Sequence, residues 1–234
     1  MHDSAMANGK RFFETYVSRM TSPLIVDIGA QDVNGSLKQC SPSSSRYVGV
    51  DFVAGNGVDV ILDDPYKLPF ESNSIDVVVS SSCFEHSEMF WVIYLEILRV
   101  MKPEGIFFLT APSNGPVHRF PVDCWRFYPD SGLALIKWAE LNNFEPAVLE
   151  SYISNQMLES WNDYVCVFIK DKKLVNKHPS RILDTFSDFT NGHRFGSSEY
   201  LNQEIRPEDQ RSRGWKISKR ISQEFQKKGL QKFA

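Results

Sequence analysis

Four acids stand where short apolar runs end: Asp27 in Leu24-Ile25-Val26-Asp27-Ile28-Gly29, Asp51 in Val48-Gly49-Val50-Asp51, and Asp63 with Asp64 after Val58 to Leu62. A carboxylate offers two acceptor oxygens at matched spacing, so Asp51 at the tip of a second strand can take both hydroxyl hydrogens of a ribose. About 22 residues separate Gly29 from Asp51, a spacing that suits a nucleoside lying across two strands. The turn between them, Gly29-Ala30-Gln31-Asp32-Val33-Asn34-Gly35, lacks the Gly-x-Gly-x-x-Gly of a phosphate cradle and carries an acid. It therefore suits a ligand without phosphate at that point. A second group lies between residues 113 and 130, where His118, Arg119, Asp123, Trp125 and Arg126 share a loop rich in Pro and Gly. An ordinary imidazole titrates near pH 6.5, which makes His118 the candidate general base. Asp123 either orients it or serves as base itself. Arg126 either pairs with Asp123 or grips a carboxylate or phosphate on a substrate, and Trp125 either packs or stacks on one. His86, between Glu85 and Ser87, is a third titratable candidate, or a helix-start residue satisfied by its own turn.

These residues need a scaffold that brings strand ends together. Leu24 to Gly29, Arg46 to Asp51, Val58 to Leu62, Ile75 to Val79, Ile106 to Thr110 and Val165 to Ile169 read as strands, with Phe144 to Ile153 as a seventh. Between them, Glu88 to Met101 carries an apolar stripe of Phe90, Ile93, Tyr94, Ile97, Leu98 and Met101, stopped by Lys102-Pro103-Glu104-Gly105. Asp130 to Leu141 reads as another helix, and a helix over 8–20 precedes the core, with Phe12, Phe13, Tyr16, Val17 and Met20 at helical spacing. Alternation of this kind predicts a doubly wound, mostly parallel α/β sheet of seven strands with helices on both faces, ligands binding beyond the carboxyl ends of the strands.

The sequence pieces, in order, resemble the class I S-adenosylmethionine-dependent methyltransferases. The resemblance runs over about residues 22 to 170 and rests on Val26-Asp27-Ile28-Gly29-Ala30, Gly49-Val50-Asp51, Asp63-Asp64-Pro65-Tyr66-Lys67-Leu68-Pro69-Phe70, Ile75 to Ser80, Phe84-Glu85-His86 and Leu98 to Gly105. It implies a Rossmann-like fold and S-adenosylmethionine as cofactor. Asp27, Gly29 and Ala30 would floor the methionine part, with Gln31 in the same loop at a position the family gives to glycine. Asp51 would hold the ribose and Phe52 lie against adenine. Asp64 would accept from the adenine amino group, with Asp63 as the alternative, and Ser80 and Ser81 would turn backbone carbonyls to the methionine ammonium. The loop from Ala111 to Asp130 looks like a bacterial branch associated with cell-surface polysaccharides and specialised metabolites. Overhanging the transferable methyl group, it places His118 and Asp123 as catalytic candidates, beside His86 from the Phe84-Glu85-His86 piece, and Arg126, Arg119 and Trp125 on the acceptor side. O-methylation of a small polar acceptor, a sugar or sugar-containing precursor, is the implied reaction. An inactive cofactor-binding regulator and a Rossmann-type oxidoreductase are the alternatives.

At 234 residues, 42% hydrophobic and 24% charged, the chain has the composition of a soluble globular protein with one catalytic domain. The longest apolar stretch, Met89 to Leu95, is far short of the roughly 20 residues of a membrane span, and the start shows no basic-then-apolar leader, so a cytoplasmic location is expected. Cys40, Cys83, Cys124 and Cys166 are widely spaced, which suggests reduced thiols and no zinc knuckle, and no metal is assigned. The formal net charge of -3 argues against nucleic acid as a partner, but the charge is uneven: residues 171–234 carry 14 basic against 8 acidic groups. The boundary is therefore expected near residue 170: a catalytic domain over 1–170, then a basic extension over 171–234 acting as a lid or homo-oligomer contact.

Overall fold

The computed structural model describes residues 2–158 and 161–205. Met1–Gln203 form one unit and Glu204–Ala234 another. Most of the second unit, and with it residues 206–234 of the expected basic extension, lies outside the described residues.

Eight strands make one sheet: β1 (Leu24–Ile28), β2 (Arg46–Asp51), β3 (Val60–Ile61), β4 (Ile75–Ser81), β5 (Met101–Pro112), β6 (Ala147–Ser154), β7 (Asp163–Ile169) and β8 (Phe189–Arg194). Their order is β3-β2-β1-β4-β5-β7-β6-β8. The first five in that order pair in parallel, while β7 runs antiparallel between β5 and β6, and β8 antiparallel to β6. The chain runs outward from β1 to β3, then returns to lay β4 against the other side of β1. That reversal opens a crevice above the carboxyl ends of β1 and β4, where sheets of this kind bind ligands.

One face of the sheet is covered by α2 (Phe90–Val100) and α3 (Ser131–Leu141), whose Ile93, Tyr94, Ile97, Leu98, Leu135 and Ala139 join Val78, Phe107 and Phe168 in a buried cluster. On the other face α1 (Asp3–Phe12) runs on into a π-helical turn at Phe13–Val17, and its Phe12, Phe13, Tyr16 and Val17 pack on Ile25, Val77 and Phe108. The first helix thus starts five residues earlier and ends sooner than its apolar spacing suggests. Its first turns bury Ser4, Ala5, Asn8 and Gly9, a small-residue face that hydrophobic periodicity does not register. Gly9 is needed there, since a Cβ would sit 2.2 Å from Leu37 Cδ2.

The sheet also continues past the boundary expected at residue 170. Glu150, fully buried on β6, accepts from Tyr16 Oη (2.6 Å) and from the backbone amides of Ile182 (2.7 Å) and Leu183 (3.0 Å). Ile182, Leu183 and Phe189 are buried around it, and β8 closes the edge. Residues 171–203 therefore belong to the core unit, and the strand count is eight, not seven. β8 reads Phe-Thr-Asn-Gly-His-Arg, with a single strongly apolar residue. As the last strand of the sheet, covered on its outer side only by a short bridge between Gly192 and Leu201, it has little need of the apolar alternation by which strands are recognised.

Candidate active site

Above the carboxyl ends of β1, β2 and β4 lies a cavity of about 1150 Å³. Cofactor pockets commonly measure about 300–1,000 Å³, so this one has room for a cofactor and a second small molecule. At one end its wall is Asp27, Gly29, Ala30, Gln31, Asp51 and Phe52; at the other it is Glu85, His86, His118, Arg119, Phe120 and Trp161.

The first end is built by backbone. Gly29 turns with φ +79°, and a Cβ there would lie 2.5 Å from Cys83 Sγ, so only glycine lets the loop after β1 pass over β4. The amides of Gly29 and Ala30 both donate to Val50 O, at 2.9 and 3.1 Å, tying this loop to β2. Asp51 is 9% exposed and accepts from the amides of Gln31 (3.2 Å) and Val53 (3.1 Å), which fixes its carboxylate at the cavity edge. Phe52 follows it, half exposed, with Leu62, Pro65 and Tyr66 on the same wall. Asp27 is 4% exposed and accepts from Tyr47 Oη at 2.6 Å. Burial, opposed by that hydrogen bond and reinforced by the charge of Asp51, pushes its carboxyl up to about 7. Ser81 and Ser82 line the floor with hydroxyl oxygens that are buried and have no partner among the described residues.

Not every expected residue lies here. Asp63 and Asp64 are exposed and off the cavity wall, and Asp64 caps its own turn by accepting from Tyr66 N at 2.8 Å. The wall on that side is made by their neighbours Leu62, Pro65 and Tyr66. Ser80 is fully buried within β4, its hydroxyl donating to Ile28 O at 2.9 Å, and Ser81 is the first residue of that pair to reach the cavity.

The second end is assembled by the loop after β5. A carboxylate–guanidinium pair is its keystone: Arg126 Nη1 and Nη2 donate to the two oxygens of Asp123 at 2.5 and 2.9 Å, and to Trp125 O and Pro116 O at 2.8 Å each. Asp123 also accepts from the His118 amide at 2.7 Å. The Arg126 guanidinium holds the Asp123 carboxyl well below the usual carboxylate range. Asp123 is thus an ionised anchor and a poor base, and Arg126 is committed to the loop instead of gripping a substrate. Trp125 is likewise off the cavity wall, packing edge-on against Phe90 and Trp91 and donating from Nε1 to Ser87 O at 2.9 Å. The loop is tied to the segment after β4 because the amides of Cys124 and Trp125 both donate to Glu85 O.

His118, by contrast, faces the cavity. Its Nδ1 lies 3.3 Å from Asp123 Oδ2, 3.4 Å from Pro116 O and 3.5 Å from Arg126 Nη2; the two oxygens are the nearer, which favours a proton on Nδ1 and leaves the Nε2 lone pair free. His86 stands edge-on to it at 4.8 Å between ring centres, with Nδ1 donating to Val122 O. Burial pushes the His86 imidazole below its ordinary value. Glu85 is 1% exposed, and neither carboxylate oxygen has a hydrogen-bond partner among the described residues. Burial pushes its carboxyl up to about 8. Trp161 stands edge-on to His118 at 4.9 Å, and His2 stacks on Trp161 at 5.6 Å while bonding Asp163 at 2.6 Å. Glu85, Trp161 and His2 carry no role in the sequence reading. Only Glu85 left a trace there, as an acid beside His86; Trp161 and His2 reach the site from distant segments.

Residues 27–109 match the methyltransferase domain family. No curated protein sequence matches the chain. Among solved structures, a Burkholderia thailandensis 1,6-didemethyltoxoflavin N1-methyltransferase, with 1,6-didemethyltoxoflavin and S-adenosylhomocysteine bound, is 16% identical with a TM-score of 0.55, over 73% of this chain and 80% of that one. The carbon methyltransferase CurJ is 14% identical (TM-score 0.50; 73% and 56% covered), and the cyclase SpnF 12% identical (TM-score 0.54; 72% and 82% covered). At these identities the likeness is one of fold, and the three differ in what they do. The matched segment runs from β1 into β5, the strands whose ends build the first end of the cavity, and over it the chain resembles methyltransferases.

Proposed function

We propose that the chain moves a methyl group to a hydroxyl of a small polar acceptor, a sugar or sugar-containing precursor. The observation that carries this reading is the placement of His118, oriented through Nδ1 by an ionised Asp123, on the wall of the same cavity as Asp51. An amine acceptor can arrive neutral, whereas a hydroxyl needs help to lose its proton, and the second end is equipped for that.

The first end fits S-adenosylmethionine residue by residue. Asp51 takes the two ribose hydroxyls, Phe52 and Tyr66 flank adenine, and Gly29, Ala30 and Gln31 pass under the methionine part. Ser81 and Ser82, with unpartnered hydroxyls, and Asp27, whose buried carboxyl gains from a cation nearby, take the methionine end. The cofactor supplies a methyl carbon on a sulfonium, an electrophile that needs alignment more than activation. His118 accepts the acceptor's proton at Nε2, Asp123 keeps the ring in the tautomer that allows it, and Trp161 and Phe120 present aromatic surface to a polyhydroxylated ring while excluding water. Four unpaired cysteines suit a reducing compartment, and no described helix is long and apolar enough to cross a membrane.

The test is turnover. The purified chain, incubated with S-adenosylmethionine and a panel of sugars, sugar nucleotides and hydroxylated metabolites, should give S-adenosylhomocysteine and a product heavier by one methylene, in which fragmentation places the methyl on oxygen. Methylation confined to amines or carbon acids would overturn the hydroxyl assignment.

A further inference from the structure

The Nε2 lone pair of His118 has company. His86 Nδ1 donates to a backbone carbonyl, so its Nε2 also carries a lone pair, and that atom lies 3.7 Å from Glu85 Oε1. One ligand atom from each of Glu85, His86 and His118 lies within 4.8 Å of the others. Bonds of about 2.0–2.2 Å put the donors of one tetrahedral ion about 3.3–3.6 Å apart. The Glu85–His86 pair, at 3.7 Å, is close to that already, and bringing in the third donor takes a side-chain closure of about 1–1.5 Å.

The surroundings are those of a ligand set. Both imidazoles have their other nitrogen held by an acceptor, Asp123 and Pro116 O for His118 and Val122 O for His86, the arrangement that fixes tautomer and ring plane at metal sites. Glu85 is a buried carboxylate with both oxygens unpartnered, and burying such a group without a partner is costly. Asp123 is balanced by Arg126 and Asp163 is bonded to His2, so Glu85 is the acid beside the two imidazoles that has no cationic partner.

We infer that Glu85, His86 and His118 bind one divalent first-row transition ion, such as Zn²⁺ or Mn²⁺, through two imidazole nitrogens and a carboxylate, leaving positions open towards the cavity. The binding site stands on these contacts alone; its role rests on the methyl-transfer reading. With the ion in place, an acceptor hydroxyl bound at an open position loses its proton to water, because coordination lowers its pKa. The oxygen then forms the bond to the methyl carbon as the carbon–sulfur bond breaks, its electron pair staying on sulfur. His118 is in that case a ligand, and the ion does the work otherwise given to its Nε2.

The test is metal binding by the full chain after chelation and desalting. Titrated with Co²⁺, it should bind one ion per chain with visible d–d absorption, and Zn²⁺ should displace it. Glu85→Gln, His86→Ala and His118→Ala should each weaken binding at least about 100-fold, and Asp123→Asn about 10–100-fold, the range for a group that orients a ligand. His193→Ala, on β8, should change nothing. Calorimetry with S-adenosylhomocysteine on the same samples separates the two readings. Cofactor binding without Co²⁺ binding would overturn the ion site and leave His118 as base; Co²⁺ binding without cofactor binding would keep the site and remove the methyl-transfer reading. Equal Co²⁺ affinity in the three ligand variants would also overturn the site, since the ion would then sit elsewhere.

Discussion

Asp27 supplies the sharpest test of the cofactor end, because its carboxyl is held at about 7 in the folded protein against an ordinary 3.8. Stability changes with pH in proportion to the difference in bound protons between unfolded and folded chains. Between about pH 4 and 7 the folded protein keeps this proton and the unfolded chain has lost it, so the group makes stability fall as pH rises, by about 1.4 kcal/mol per unit. Over the whole interval that amounts to up to about 4 kcal/mol, reduced by whatever water the cavity admits to the ionised carboxylate. Asp27→Asn keeps an acceptor for Tyr47 Oη and removes the titration. The variant should therefore be the more stable protein at pH 8, and its denaturation midpoint should fall less steeply between pH 5 and 7 than that of the wild type. Glu85, held at about 8, adds a slope of the same sign in both proteins, so the difference between the two curves isolates Asp27. The assay is urea unfolding at half-unit pH steps without ligand. Parallel curves from pH 5 to 7 would show that Asp27 titrates as an ordinary carboxyl. The same experiment with S-adenosylhomocysteine should reverse the order at pH 8, where the ionised Asp27 has a cation to face.

Asp51→Ala should weaken S-adenosylhomocysteine binding by about 1.5–3 kcal/mol, the scale of hydrogen bonds to a charged group, as read by calorimetry. His118→Ala should lower turnover about 100-fold or more while cofactor affinity stays within about threefold, whether the side chain acts as base or as ligand. Arg126→Ala should lower kcat through a loosened His118 instead of chiefly raising the acceptor KM, since its guanidinium is spent on Asp123 and loop carbonyls. A chain ending at Gln203 should unfold cooperatively, but one ending at Lys170 should not: it exposes the partners of Ile182, Leu183 and Phe189, each buried side chain contributing about 1.5–3 kcal/mol, and strips Glu150 of two amide donors.

The parallel half of the sheet was legible because strands buried on both faces write themselves as apolar runs. Leu24–Ile28 and Arg46–Asp51 fall where those runs stand, and their carboxyl-terminal acids mark the edge of the crevice. What hid was structure whose stabilisation is not apolar periodicity. The start of α1 packs through Gly9 and Asn8, the latter accepting from Tyr152 Oη at 3.2 Å, and β8 is anchored through the buried Glu150 and its neighbours. A polar residue that orders a remote segment has the same local appearance as one on the surface.

The site divides on the same line. Asp51 and Gly29 are local: each does its work within a few residues of a strand end, so spacing alone finds them. The acceptor end depends on which residues face inward from a loop of some 18 residues, and charge partnership decides that, not type. Asp123 and Arg126, three residues apart, satisfy each other, which removes one from consideration as base and the other as substrate clamp. The pair is also what turns His118 outward into the cavity with its Nδ1 proton engaged, so residues that touch no substrate set the atom that does. Glu85 closes the circuit from the turn after β4: its backbone carbonyl receives the two loop amides of Cys124 and Trp125, while its side chain lies beside the imidazoles. The two ends of the cavity are therefore held in register by one short turn after β4, which is why an acid beside a histidine at that point carries more of the chemistry than either residue type announces.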